Sequence, residues 1–495
     1  MGKFKLFVVF VISGANMKFR LDDKKINQVK EDVLTVFLFE GEKLPGELKE
    51  FEKYTKKEKF KGKEGECFES PSFGKKGFEY LLLIGLGKKK EFDNNILRTA
   101  AANAYHLGNS KNAKSIALKF SLDKDSVCAA VEGINLTSYK FEEYMKKKDE
   151  DKDTIKEINI IAGKKFQKEM DEAIILTDAQ NYSRIIDNLP PNVLTPNKFA
   201  EYAKKLGKEN KMSVKVFGKK ELEKMKMGAL LAVNQGSVEP PVLVVMEYNK
   251  GKKYPLYSII GKGITFDSGG VSLKPSDGMH EMKFDKSGAC VCLGIMKAVS
   301  ELKLPVRLNA IIPATENMVG SKAYKPSDII TAYSGKTIEI RNTDAEGRLI
   351  LADAVAYAAK QKPKLLIDIA TLTGAAFVVL GRQGACMLTN DEKANKVFED
   401  AGNKTYERVW RLPLWKEYDK LIKSDVAEIK NIGGEKGGAS TIIGGIFIKE
   451  FIGDSKWVHL DIASVDNIPG SHSYYAKGST GVGVRLVSEA LRKLK

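Results

Sequence analysis

Histidine is nearly missing from this 495-residue chain, which carries four copies, His106, His280, His459 and His472. None stands at an HExxH or HxxEH spacing, so each reads as a satisfied core or surface residue rather than a metal ligand. Cysteine is almost as scarce. The five copies (Cys67, Cys128, Cys290, Cys292, Cys386) form no CxxC pair, which argues against a disulfide-stapled scaffold and points to a reducing compartment. Arginine supplies only 11 of the 81 basic side chains, whereas bidentate recognition of phosphates and bases favours arginine. No stretch approaches the roughly 18 to 20 apolar residues that span a bilayer.

What is present describes a folded protein. Hydrophobic residues make up 43% and charged residues 29%, enough for substantial cores behind a charged surface, and the length suggests two or three domains. The net charge of +17 is uneven: residues 1–180 hold 34 basic and 30 acidic side chains, residues 181–495 hold 47 and 34. A weak, nonspecific affinity for nucleic acid is therefore weighed as a secondary property, although lysine enrichment also marks heat-adapted surfaces. At the start, Lys3 and Lys5 precede a short apolar run, Leu6 to Ile12, before Ser13-Gly14-Ala15. That run sits at the short limit of a signal sequence. Met17 opens a fresh strand-like stretch, so residues 1–16 are read as an extension outside the fold.

Short apolar strands alternate with helices along the rest. Val33–Phe39 and Tyr80–Ile84 read as strands and Ile96–Leu107 as a helix, which predicts an N-terminal α/β domain over 17–160. Gly85-Leu86-Gly87 lacks the third glycine of a dinucleotide fingerprint, since that position is Lys90. Ile175, Ala179, Tyr182, Ile186 and Leu189 share one helical face that Pro190-Pro191 terminates, so 161–190 reads as a connecting helix. Beyond it, Val242–Met246, Tyr257–Ile260, Leu308–Ile312, Leu365–Ile369 and Trp457–Ile462 alternate with helices such as Cys290–Leu302 and Gly347–Lys360. This predicts a second α/β domain over 191–495, a mostly parallel sheet flanked by helices. Ligands in such folds sit at the carboxyl ends of strands.

Three acidic strings fall there: Gly263-Ile264-Thr265-Phe266-Asp267-Ser268-Gly269-Gly270 with Lys262 before it and Lys274 after, Met282-Lys283-Phe284-Asp285, and Asn342-Thr343-Asp344-Ala345-Glu346-Gly347-Arg348-Leu349. Any one string could be a turn or helix cap. Together they offer four carboxylates that would repel unless cations lay among them. Such an oxygen-rich set suits Mg, Mn or Zn. A lysine beside cations loses its proton readily and can itself bind metal.

In their order and wording these strings closely resemble the leucyl aminopeptidase (cytosol aminopeptidase) family. The resemblance continues through Asp368–Gly374, Ile429–Gly434, His459–Ala463 and Thr480–Leu486, and so covers about 190–495. It implies a metal-dependent exopeptidase acting on peptides with N-terminal leucine and similar residues. Carried over residue by residue, it implies that Lys262, Asp267, Asp285 and Glu346 hold one divalent ion and Asp267, Asp344 and Glu346 a second, either Mn or Zn. Lys274 and Arg348 match catalytic positions, and Arg348 would hold bicarbonate against Ala345, Gly347 and Leu372. Met282, Thr371, Gly374 and Ala463 match the side-chain pocket. The resemblance further implies a cytoplasmic homohexamer. Two such cations would generate hydroxide near neutral pH without a histidine base.

Overall fold

Strands buried on both faces read as continuous apolar runs, and the first sheet is built that way. The computed structural model describes residues 17–120, 123–145, 153–434, 438–470 and 473–494, so the expected extension 1–16 lies outside the described residues. The chain divides into two units, one of residues up to 181 with 470–477, the other of 182–469 with 478–495.

The first unit contains β1 (Lys18–Asp22), β2 (Val33–Leu38), β3 (Cys67–Pro71), β4 (Tyr80–Gly85), β5 (Ser115–Lys119) and β6 (Glu157–Ile161), in the order β1-β6-β5-β2-β4-β3. Neighbours are parallel except β3 and β4. Successive residues of the inner strands feed opposite cores, whereas the edge strands β1 and β3 keep one face toward solvent. Val33, Phe37, Leu82 and Ile84 pack with residues of the helices Asn94–Ser110 and Lys124–Thr137, while Leu34, Val36, Leu81 and Leu83 fill the other face. Gly85-Leu86-Gly87 is a turn at the strand end, where Gly87 takes φ +71°.

The second unit contains β7 (Ser213–Phe217), β8 (Val242–Tyr248), β9 (Leu256–Gly261), β10 (Gly263–Asp267), β11 (Arg307–Asn317), β12 (Ile329–Thr331), β13 (Thr337–Glu339), β14 (Leu365–Ala370), β15 (Ala385–Thr389), β16 (Val409–Arg411), β17 (Ile429–Lys430) and β18 (Trp457–Asp461). Its main sheet runs β16-β15-β18-β14-β9-β11-β8-β7, with β10 joined to β11 and with β12, β13 and β17 forming a separate small sheet. The centre, β18-β14-β9-β11, is parallel, and antiparallel pairs lie toward the flanks. Helices Ser287–Glu301 and Glu346–Ala359 pack on β9, β11 and β14 and are buried along most of their length. That all-round burial is why their apolar pattern lacks a clean stripe.

One break in this sheet positions the chemistry. Strand β9 pairs with β11 as far as Ile260↔Ile311, and β10 resumes on the same partner at Gly263↔Ala314. Lys262 stands in the gap, its N–H bonded to Ile369 O at 3.1 Å and its carbonyl accepting from Ala289 N at 2.9 Å. A Cβ on Gly261 would lie 2.6 Å from Gly288 O, and one on Gly263 2.6 Å from Pro313 O, so glycine on either side permits the close approach.

Candidate metal centre

The break delivers Lys262 to a cavity of about 580 Å³ at the carboxyl ends of the central strands. Strand β10 ends there with Asp267, and Asp285 immediately precedes Lys286 and the helix Ser287–Glu301. Glu346 is the first residue of the helix Glu346–Ala359, and Thr371 follows β14. Of the residues expected to act, Lys262, Asp267, Lys274, Met282, Asp285, Asp344, Ala345, Glu346, Arg348, Thr371, Leu372, Gly374 and Ala463 all line this one cavity. Gly347 lies just behind them, and a Cβ there would meet Lys262 Cε at 2.5 Å.

The carboxylates converge. Asp267, Asp344 and Glu346 each offer an oxygen within 4.8 Å of the others. Lys262 Nζ reaches Asp285 Oδ1 at 2.7 Å and Glu346 Oε1 at 2.9 Å, and donates to Thr371 O at 2.8 Å. Lys274 Nζ reaches Asp267 Oδ2 at 3.0 Å and Asp344 Oδ1 at 2.6 Å. Gly269 and Gly270, both at positive φ, shape the loop between Asp267 and Lys274.

The electrostatics follow from this crowding. Burial, with the nearby Glu346 carboxylate adding to it, raises Asp267 to about 6 against the pull of the two lysines. Asp285 is driven well above the carboxylate range, by burial first and then by Glu346 and Asp267, although Lys262 opposes this. Glu346 ends below its ordinary value, because Lys262 and Lys274 outweigh its burial. Burial lowers Arg348 to about 10.

The residues fit a divalent cation. Asp285 Oδ2 and Glu346 Oε2 are buried, and among the described residues no hydrogen bond reaches either. Orphaned buried carboxylate oxygens are costly, and divalent cations held in this cavity would satisfy such oxygens. Arg348 is comparable with opposite sign: Nη1 donates to Asn431 O at 2.7 Å, while its buried Nε has no partner among the described residues.

Several supporting groups escaped sequence reasoning. Asn317, at the end of β11, donates from Nδ2 to Asp267 Oδ1 at 2.8 Å and to Thr343 O at 3.0 Å. Tyr324 OH donates to Thr343 O at 2.7 Å. Asp461, at the end of β18, accepts from Leu372 N at 3.1 Å and from Thr373 Oγ1 at 2.7 Å. The only available signal was position at a strand's carboxyl end. His459 is buried on β18, pairs with Asp368 at 2.6 Å and does not line the cavity, as its sequence context suggested.

Fold and site together define the class: an α/β protein whose carboxylate-lysine centre is fitted to divalent cations. Comparison with known proteins narrows it. The model of the cytosol aminopeptidase family catalytic domain matches residues 181–488, and that of the same family's N-terminal domain matches 35–148. A probable cytosol aminopeptidase of Aquifex aeolicus is 40% identical over 97% of this chain and 99% of its own length. One from Geobacter sp. is 43% identical over 88% of this chain and 90% of its own. Among solved structures, a tomato leucine aminopeptidase mutant aligns with TM-score 0.87 at 28% identity, covering 97% of each chain. The bottromycin maturation enzyme BotP in complex with Mn aligns with TM-score 0.85 at 29% identity, over 94% of this chain and 99% of that one. The chain belongs to the cytosol aminopeptidase family and is a metal-dependent aminopeptidase.

Proposed function

We propose that the enzyme removes N-terminal residues, leucine and other apolar ones preferentially, by a mechanism that uses two divalent cations, manganese or zinc. Lys262, Asp267, Asp285 and Glu346 would hold one and Asp267, Asp344 and Glu346 the other. The observation that carries this reading is the convergence of three carboxylates, with Asp285 tied to them through Lys262 and two unpartnered oxygens in the same cavity. Bound there, the cations supply an activated water and polarise the scissile carbonyl.

The chain's own groups do the remainder. Lys274 donates to the carbonyl oxygen as negative charge develops on it, an oxyanion-hole role. Arg348 orients bicarbonate, the proton acceptor, against Ala345, Gly347 and Leu372; its unpartnered Nε supports an anion there. Met282, Thr371, Gly374 and Ala463 receive the N-terminal side chain, a small apolar set with modest selectivity per methylene. The substrate's free α-amine binds as a neutral group at a chain end, which restricts the enzyme to exopeptidase cleavage.

In the same reading 17–160 is the N-terminal domain, 161–190 the connecting segment, whose helix runs Gln167–Asn188, and 191–495 the catalytic domain. The family resemblance supports a cytoplasmic homohexamer, and the excess of lysine in 181–495 supports weak, nonspecific contact with nucleic acid. No helix among the described residues is long and apolar enough to cross a membrane.

The test pairs leucyl p-nitroanilide with its N-acetyl derivative in the presence of Mn²⁺. The free substrate is expected to be hydrolysed and the blocked one left intact, with activity lost on chelation. Cleavage of both at similar rates would overturn the assignment.

A further inference from the structure

We propose that Asp466 is a specificity-determining residue, placed to receive the ammonium or guanidinium of a basic N-terminal side chain beside Ala463, so that lysyl and arginyl peptides are substrates alongside leucyl ones. This rests on the assignment of Met282, Thr371, Gly374 and Ala463 as the side-chain pocket and adds one residue to it.

The placement follows from the backbone after β18. Val465 N and Asp466 N both donate to Ile462 O at 2.9 Å, closing a single helical turn. Residues three apart on such a turn face the same side, and Ala463 and Asp466 both line the cavity. Asp466 is 6% exposed, and Asn467 Nδ2 contacts its two carboxylate oxygens at 3.2 Å each. No lysine, arginine or histidine among the described residues lies within ion-pair distance of it. Arg382, the cation that influences it, spends its guanidinium on Asn467 O and the Phe377 ring. Asp187 adds a like charge nearby. Burial foremost, then, pushes this carboxyl up to about 8.

A buried carboxyl without a cation is held at a cost that a well-packed apolar side chain would not incur. A substrate ammonium supplies the missing partner, and the carboxyl ionises as it enters. An entirely apolar wall would strip water from that ammonium and return nothing, so lysine would be rejected. Leucine, shorter and uncharged, leaves the Asp466 carboxyl protonated and still occupies the apolar part of the pocket.

Lysine and norleucine share a four-carbon chain and differ by the ammonium, so their p-nitroanilides isolate the contact. With the Mn²⁺-loaded wild-type enzyme, kcat/KM for the lysyl substrate should equal or exceed that for the norleucyl one. A clear preference for norleucine would overturn the proposal without any variant being needed. Asp466→Asn should lower the lysyl-to-norleucyl ratio by about 30-fold or more, as expected when one partner of a buried charge pair is removed. An unmoved ratio would also overturn it. Ala463→Val separates the underlying assignment: filling the pocket should shift the norleucyl-to-alanyl ratio. If that ratio moves and the lysyl ratio in Asp466→Asn does not, only the role of Asp466 fails. If Ala463→Val leaves it unmoved, the pocket itself has been misassigned.

Discussion

Lys262 and Lys274 each bridge two carboxylates, yet their surroundings assign them different work. Lys262 is buried in the break between β9 and β10, and Gly347 leaves room for it and nothing larger. Lys274 sits on a loop with its side chain 21% exposed, open to the cavity. Lys262→Ala therefore should remove a donor from one coordination sphere and lose about one equivalent of metal per chain. Lys274→Ala should keep both metals and lower kcat and kcat/KM together by on the order of 10²–10³. Metal analysis alongside kinetics decides between these roles, and full metal content in the Lys262 variant would reverse them. The acidic residues of this candidate centre were legible in the sequence because each lies in a short contiguous string, and the strings follow one another in a recognisable order. The roles of Asn317, Asn431 and Asp461 were not, because only the tertiary pairing of the chain brings these three against Asp267, Arg348 and Leu372, which line the cavity.

At the scale of elements, hydrophobic periodicity located the central strands and main helices, and it faltered where tertiary pairing alone decides. Strand β11 is the clearest case: the apolar run predicts an end at Ile312, whereas the strand continues through Pro313 to Asn317. Proline is disfavoured in a central strand because it cannot donate to the ladder. Here it falls where β9 has ended and β10 has not begun, so that side requires no bond from it. The extension matters because it places Asn317 against Asp267. The helix Glu346–Ala359 carries a similar local conflict at Gly347. Alanine there would ordinarily favour the helix by about 1 kcal/mol. Its Cβ would lie 2.5–2.7 Å from three Lys262 side-chain atoms that are pinned by Asp285 and Glu346, so displacement of Lys262 wins. Overpacking of this kind costs about 1–3 kcal/mol. Gly347→Ala is expected to fold, bind metal more weakly and lose activity. A variant with unchanged metal content and rate would show that Lys262 has more freedom than its contacts indicate.

For the whole molecule, buried carboxyls in the second unit couple stability to pH. Burial raises Asp466 to about 8, and it raises Asp353 to about 7 even though the N–H groups of Tyr333, Leu230 and Ala229 hold that side chain. An unfolded aspartate titrates near 3.9 on the usual scale. Between that pH and the folded value the native chain holds a proton that the unfolded chain has released, so stability falls as pH rises through this window and is fully present only below it. For Asp466 alone a gap of about four units amounts to about 5 kcal/mol by pH 8. Asparagine in its place has no proton to lose and can still accept from Asn467. The thermal midpoint of Asp466→Asn relative to wild type should therefore climb as the pH is raised from about 6 to about 9, and the climb should level off above the folded pKa. Melting curves of the two metal-loaded proteins across that range measure the difference directly, since titrations common to both cancel. A constant gap would mean that Asp466 is already ionised in the folded enzyme, with a cation holding it so.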